Sequence, residues 1–348
     1  MKNQSTGSAS MSESPNQSWF APHCITLATT WVATTVAIIV MLLHDVRYTD
    51  QFSILRYILQ VAYVSALLWY LSRVGLSTNQ LNELRPITLL RWRYGRWIPV
   101  LGIILILALA TMSDDGVGIM MLLLIIATVW IIIVWRRMIR LRMVVQGFAV
   151  AIIACLGGLP ALNNGLIGDI TYYGLVILVP PMYIAGGLLV NHTGLTEIQL
   201  ITGRYLKALQ SFLWGCLLFV PLGLFNAAEG SPGTDIIWVT EWWMPFSLPS
   251  FSGIAEETWF RLLLIGLCYL LLRPAFRKYP VFAVLAAVLF SAITFGLGHG
   301  RTLDKFLTTG LLYGLPIAAI FVKRDWEHAV GAHYIINMIP WLMVFMET

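Results

Sequence analysis

About eleven stretches of this 348-residue chain are apolar and nearly uncharged, and each is 16 to 23 residues long. They are Cys24 to Leu43, Phe52 to Leu71, Trp97 to Met112, Val117 to Trp135, Val144 to Leu162, Tyr172 to Val190, Ser211 to Asn226, Ser250 to Leu272, Val281 to Leu297, Phe306 to Val322 and Ala329 to Met346. A helix rises about 1.5 Å per residue, so such runs match a hydrocarbon layer about 30 Å thick. Lipid leaves no water for backbone groups, and helices satisfy them internally, so the pattern predicts an all-α, polytopic transmembrane helical bundle. Composition agrees: 58% of residues are hydrophobic, 11% are charged, and mean hydropathy is +0.78. Soluble domains average about a quarter charged. The net charge of +5 does not indicate nucleic acid, because Lys and Arg sit in short loops between apolar runs.

Those loops test the division into spans, since basic residues collect on the cytoplasmic side. Arg73, Arg85, Arg91, Arg93 and Arg96 follow the second run, and Arg136, Arg137, Arg140 and Arg142 the fourth. Arg204 and Lys207 follow the sixth, Arg273, Arg277 and Lys278 the eighth, and Lys323 and Arg324 the tenth. Intervening loops carry Asp114, Asp115, Asp169, Glu229, Asp235 and Glu241, with Arg301 and Lys305 as basic exceptions. The alternation predicts a cytoplasmic N-terminus and an external C-terminus, in the plasma membrane of a prokaryote. Residues 1–19, polar and without an apolar core, are expected to be a disordered tail and not a signal peptide. Residues 20–226 would be N-terminal transmembrane helices of unknown role, 227–249 an external Pro/Gly/Trp-containing loop, and 245–348 the functional module. Trp238, Trp242 and Trp243 suit an interfacial belt. Cys24, Cys155, Cys216 and Cys268 lie within or beside apolar runs with no C-x-x-C spacing, so they are expected as apolar core residues.

A charge at membrane depth costs at least about 2.5 kcal/mol, so it usually has a partner and a task. In the first seven runs the only one is Arg56, near enough to an end to snorkel. The last four runs are different. One holds Glu256, Glu257 and Arg261, His299 ends the next, and the final run holds His333 and Asn337. Glu257 and Arg261, four apart on a helix, can pair. Glu256 points elsewhere, free to accept and return a proton. His333 and Asn337, also four apart, can aim two donors at one point, as an oxyanion hole requires. Depth along the helices predicts that these groups meet near or just outside the midplane.

Three patterns now align. E-E-x-x-x-R is Glu256, Glu257, Thr258, Trp259, Phe260, Arg261; F-x-x-x-H is Phe295 to His299; H-x-x-x-N is His333 to Asn337. In this order, on successive helices, they resemble the CAAX protease and bacteriocin-processing family, which includes the type II CAAX prenyl endopeptidases. The resemblance covers about 100 residues, from near Pro245 to the end, and implies a CAAX-protease-like four-helix core. It implies that Glu256 and His299 activate water, that His333 and Asn337 hold the oxyanion, and that Glu257 and Arg261 support the site. Phe295 is expected to pack. Leu262 departs from the Gly that many members carry after the Arg.

The expected function is an intramembrane glutamyl endopeptidase acting on a membrane-associated peptide or protein, with the lipid bilayer as a partner and no nucleic acid. No cofactor is expected; a zinc site from Glu256, His299 and His333 is conceivable, but no H-E-x-x-H is present. A non-catalytic scaffold or immunity protein is the alternative. A proton-coupled transporter is a further one, disfavoured because the polar groups occupy one end of the chain instead of two related halves.

Overall fold

The computed structural model describes residues 21–43, 50–74, 102, 116–165, 168–229, 239–300 and 302–347. Among them the chain is helical throughout, apart from turns and one isolated parallel bridge between Glu197 and Asp325. The helices are α1 (Pro22–Leu43), α2 (Asp50–Arg73), α3 (Gly116–Val134), α4 (Leu141–Asn163), α5 (Asp169–Thr193), the short α6 (Gln199–Thr202) and α7 (Tyr205–Ala228). Then come α8 (Met244–Glu256), a π-helical stretch π1 (Glu257–Ile265), α9 (Gly266–Leu272) and α10 (Pro280–His299). The last elements are α11 (Leu303–Lys305), a second π-helical stretch π2 (Phe306–Gly314), α12 (Leu315–Lys323) and α13 (Trp326–Glu347). Eight helices among the described residues are long and apolar enough to cross a membrane. Ten of the eleven expected runs are seen as helix; the tail at 1–19, the run at 97–112 apart from Gly102, residues 230–238 of the loop and Arg301 lie outside the described residues.

The surface inverts the soluble pattern. Ile177 and Leu206 are 69% and 80% exposed, whereas Glu257 and Arg261 are completely buried. Such a bundle gains little from hiding oil from oil, so its helices associate through close packing at small residues and through buried polar bonds. Both devices join α7 to α13. A Cβ on Gly215 would lie 2.2 Å from the His328 carbonyl oxygen, and one on Gly331 would lie 2.0 Å from that of Phe212. Asn226 Nδ2 donates to the Ile336 carbonyl at 3.0 Å. The helix that carries His333 is therefore seated by a helix from the N-terminal part of the chain.

Three sequence expectations change. The loop expected through 249 ends earlier, because Pro245 stands in the first turn of α8, where its missing N–H costs nothing and its fixed φ suits a helix. The single span expected over 250–272 is three joined pieces, α8, π1 and α9. Arg56 does not snorkel: half-buried, it turns inward, where Nη1 donates to the carbonyl of Ala228 at 3.4 Å. That carbonyl closes the end of α7, whose last oxygens lack helical partners, and a cation satisfies one of them. Glu229 beside it is buried, which pushes its carboxyl above the usual range, against the opposing pull of Arg56.

At Leu262 the facing helix supplies the space. A Cβ on Gly186 of α5 would meet Leu262 Cγ at 2.4 Å, and Leu262 is fully buried.

Candidate active site

Four elements bring the polar groups together. Glu256 is the last residue of α8, at the seam where the α turn widens into π1; such wide turns are frequent at functional sites. Glu257 opens π1, His299 ends α10, and His333 lies midway along α13. His299 Nε2 is 3.6 Å from Glu256 Oε2, and His333 Nε2 is 3.9 Å from the same oxygen. Both exceed direct hydrogen-bond length and are of the kind that a water spans.

The other ring nitrogens fix the tautomers. His299 Nδ1 lies 2.9 Å from the Phe295 carbonyl oxygen, and His333 Nδ1 lies 2.8 Å from Glu257 Oε1. A carbonyl and a carboxylate only accept, so each Nδ1 carries the proton and donates it. Both Nε2 atoms consequently turn a lone pair toward Glu256 while the rings are neutral. Glu256 Oε2 is itself a buried atom with no hydrogen bond. Three acceptors converge on one point.

Behind them is a support layer. Arg261 Nε lies 3.3 Å from Glu257 Oε2, with both side chains fully buried. Arg261 Nη1 donates to Ser291 Oγ at 3.3 Å, and Ser291 Oγ donates to the Phe260 carbonyl at 2.7 Å. The guanidinium stands 4.4 Å above the Phe295 ring, a cation–π contact. Phe295 packs, as expected, and does more: its ring centroid is 4.6 Å from that of His299 and 5.6 Å from that of His333, so one aromatic plate orients both imidazoles. The opening is on the His299 side, where that side chain is 39% exposed and Glu256 is 25% exposed.

Asn337 stands one turn beyond His333, half-buried, and Nδ2 donates to Ser252 Oγ at 2.8 Å. No hydrogen bond joins Asn337 to Glu256; the Asn337 amide bonds to Ser252. Neither Ser252 nor Ser291 is distinguishable by sequence: each is a serine in an apolar run, and its only signal is a four-residue spacing from Glu256 and Phe295 respectively. Among the described residues no group of three or more His, Cys, Asp and Glu side chains is placed to hold a metal.

A carboxylate and two imidazoles with tethered Nδ1 atoms thus meet inside a helical bundle of membrane-spanning character. Residues 238–339 match the family model described as Rce1-like, type II CAAX prenyl endopeptidase Rce1-like, so this part of the chain is similar to that family. All three motifs, from Glu256 to Asn337, lie within the matched residues, and the match supports a CAAX-type protease. No curated protein and no solved structure matches the chain.

Proposed function

We propose that the protein is an intramembrane glutamyl endopeptidase that hydrolyses a peptide bond of a membrane-associated protein or peptide. The observation that carries this is the convergence of Glu256 Oε2, His299 Nε2 and His333 Nε2 from three separate elements. Water has two protons to donate, so it can bond to two of the three convergent acceptors at a time, and it is the reactant that such a set can polarise. As its oxygen bonds to the scissile carbonyl carbon, a proton passes to Glu256. When that proton moves on to His333 Nε2, the ring becomes a donor, and with an Asn337 N–H it faces the negative oxygen of the tetrahedral intermediate. Glu257 balances the imidazolium. The proton finally goes to the departing nitrogen as the C–N bond breaks, which restores the starting state.

Comparing the membrane peptides of cells that carry the wild-type protein with those that carry Glu256→Ala tests this. Longer precursors should accumulate in the variant cells and so name the substrate; identical peptide sets would refute the proposal. The basic loops lie at the opposite end of the bundle from His299, so the site faces outward if those loops are cytoplasmic. A single cysteine placed in the 227–249 loop should then react with an impermeant thiol reagent on intact cells, and labelling only after permeabilisation would reverse the topology.

A zinc site from Glu256, His299 and His333 is the second chemistry: tethered Nδ1–H groups suit imidazole ligands, although among the described residues no group of three such side chains is placed to hold a metal. Chelation separates the two. Activity should persist in chelator; loss with recovery on added zinc would assign water activation to a metal.

A further inference from the structure

We infer that Ser252 is a positioning residue that aims the amide of Asn337, an inference that rests on the hydrolase function proposed above. Helices α8 and α13 run antiparallel beside each other, and two contacts cross between them like rungs. Glu256 faces His333 on one rung at 3.9 Å, and Ser252 faces Asn337 on the other at 2.8 Å. Stepping back four residues on α8 and forward four on α13 moves from the first rung to the second, one helical turn in each. Gly253 lies between the rungs, where an added Cβ would stand in ordinary van der Waals contact with Tyr334 N at 3.5 Å and the Val330 carbonyl at 3.6 Å, so the two helices pack directly against each other here.

The polarity of the second rung is determined by its surroundings. Ser252 Oγ has one proton, and its donation is directed to the Pro249 carbonyl at 3.4 Å. The serine oxygen is thus an acceptor toward Asn337, which gives it one Nδ2 proton. The amide is planar and its second N–H diverges by about 120° from the first, so fixing one fixes the other. A free asparagine samples several side-chain rotamers, and an oxyanion donor acts best when its orientation is set before charge develops. Ser252 thereby ties the donor to the same helix that carries Glu256, and base and oxyanion site keep a constant separation of one turn.

The test uses the full-length protein in lipid vesicles with the precursor that accumulates in Glu256→Ala cells. Ser252→Thr keeps the hydroxyl, whereas Ser252→Val has nearly the same shape without it. The valine variant should lose about tenfold in kcat at a nearly unchanged KM, part of the hundredfold or more that a whole oxyanion donor contributes. The threonine variant should stay within about threefold of wild type. In an Asn337→Ala background the two should be equal, because nothing remains to aim. Equal kcat for Thr and Val with Asn337 intact would overturn the inference while leaving the hydrolase standing, as would a Thr–Val difference that persists undiminished without Asn337. If the wild-type protein hydrolyses nothing, the hydrolase proposal falls and this inference falls with it.

Discussion

Helix α13 carries two acid–histidine arrangements, one at its start and one within it, and they are built in opposite ways. At the start of the helix, Asp325 Oδ1 accepts from the backbone N–H of His328 at 2.9 Å and lies 2.7 Å from its Nδ1. Its Oδ2 accepts from Ser211 at 2.8 Å and from Gln199 at 3.2 Å. Every lone pair has a donor. The carboxylate caps the helix and staples it to α6 and α7, while neighbouring Glu327 accepts the backbone N–H of Leu200 at 2.8 Å. Halfway along the same helix, His333 faces Glu256, whose Oε2 has no hydrogen bond and whose imidazole neighbours stand off at 3.6 and 3.9 Å. A saturated carboxylate holds a fold together, whereas an unsaturated one with convergent acceptors is placed to meet a reactant. An open carboxylate oxygen is not by itself the distinction, since Glu327 Oε2 is likewise buried with no hydrogen bond; what sets Glu256 apart is the approach of two imidazole Nε2 atoms to that oxygen.

Exchanging the damage between the two arrangements gives the largest expected effect. His299→Ala should abolish turnover, a loss of at least about a hundredfold for an acid–base partner, while leaving the melting temperature of the purified protein nearly unchanged. Turnover that survived would return His299 to a packing role. Asp325→Ala should do the reverse, keeping the chemistry but costing on the order of 3 kcal/mol in unfolding free energy through the lost cap and charge-assisted bonds.

Acid sharpens the same distinction. Burial pushes the Asp325 carboxyl up, but the bonds and charge of His328 and the Ser211 hydroxyl outweigh it and hold the group below its ordinary 3.8. A depressed carboxylate contributes stability that is complete above its unfolded value and lost as pH falls through its folded one. Unfolding measured from pH 6 downward should therefore show an acid-dependent loss below about pH 4 that Asp325→Asn lacks, and parallel curves would break the comparison. A smaller effect tests the packing. Gly186→Ala should destabilise by about 1 to 3 kcal/mol because its methyl meets Leu262, and Leu262→Ala added to it should recover part of that.

Much of the site was legible because lipid makes charge scarce: Glu256, Glu257, Arg261, His299 and His333 stand out in apolar runs, and the structure brings these five together. Helix positions were legible for the same reason. What sequence did not show depends on distant partners. Asp325 reads as one of several charges in a loop, and its bond to Ser211 spans 114 residues. The inward turn of Arg56 depends on where α7 ends, and the space for Leu262 depends on a glycine in α5. The π turn after Glu256 changes no residue type, so periodicity alone does not announce it. Ser252 is visible only once α8 and α13 are set side by side.

The most direct test of the central claim is Glu256→Gln in the purified protein, with cleavage and melting measured together. Glutamine keeps the shape and a hydrogen-bonding oxygen but removes the carboxylate that takes the proton. A loss of at least about a hundredfold in turnover, with melting unchanged, is the expected result. Undiminished cleavage by that variant would contradict the glutamate-base mechanism outright.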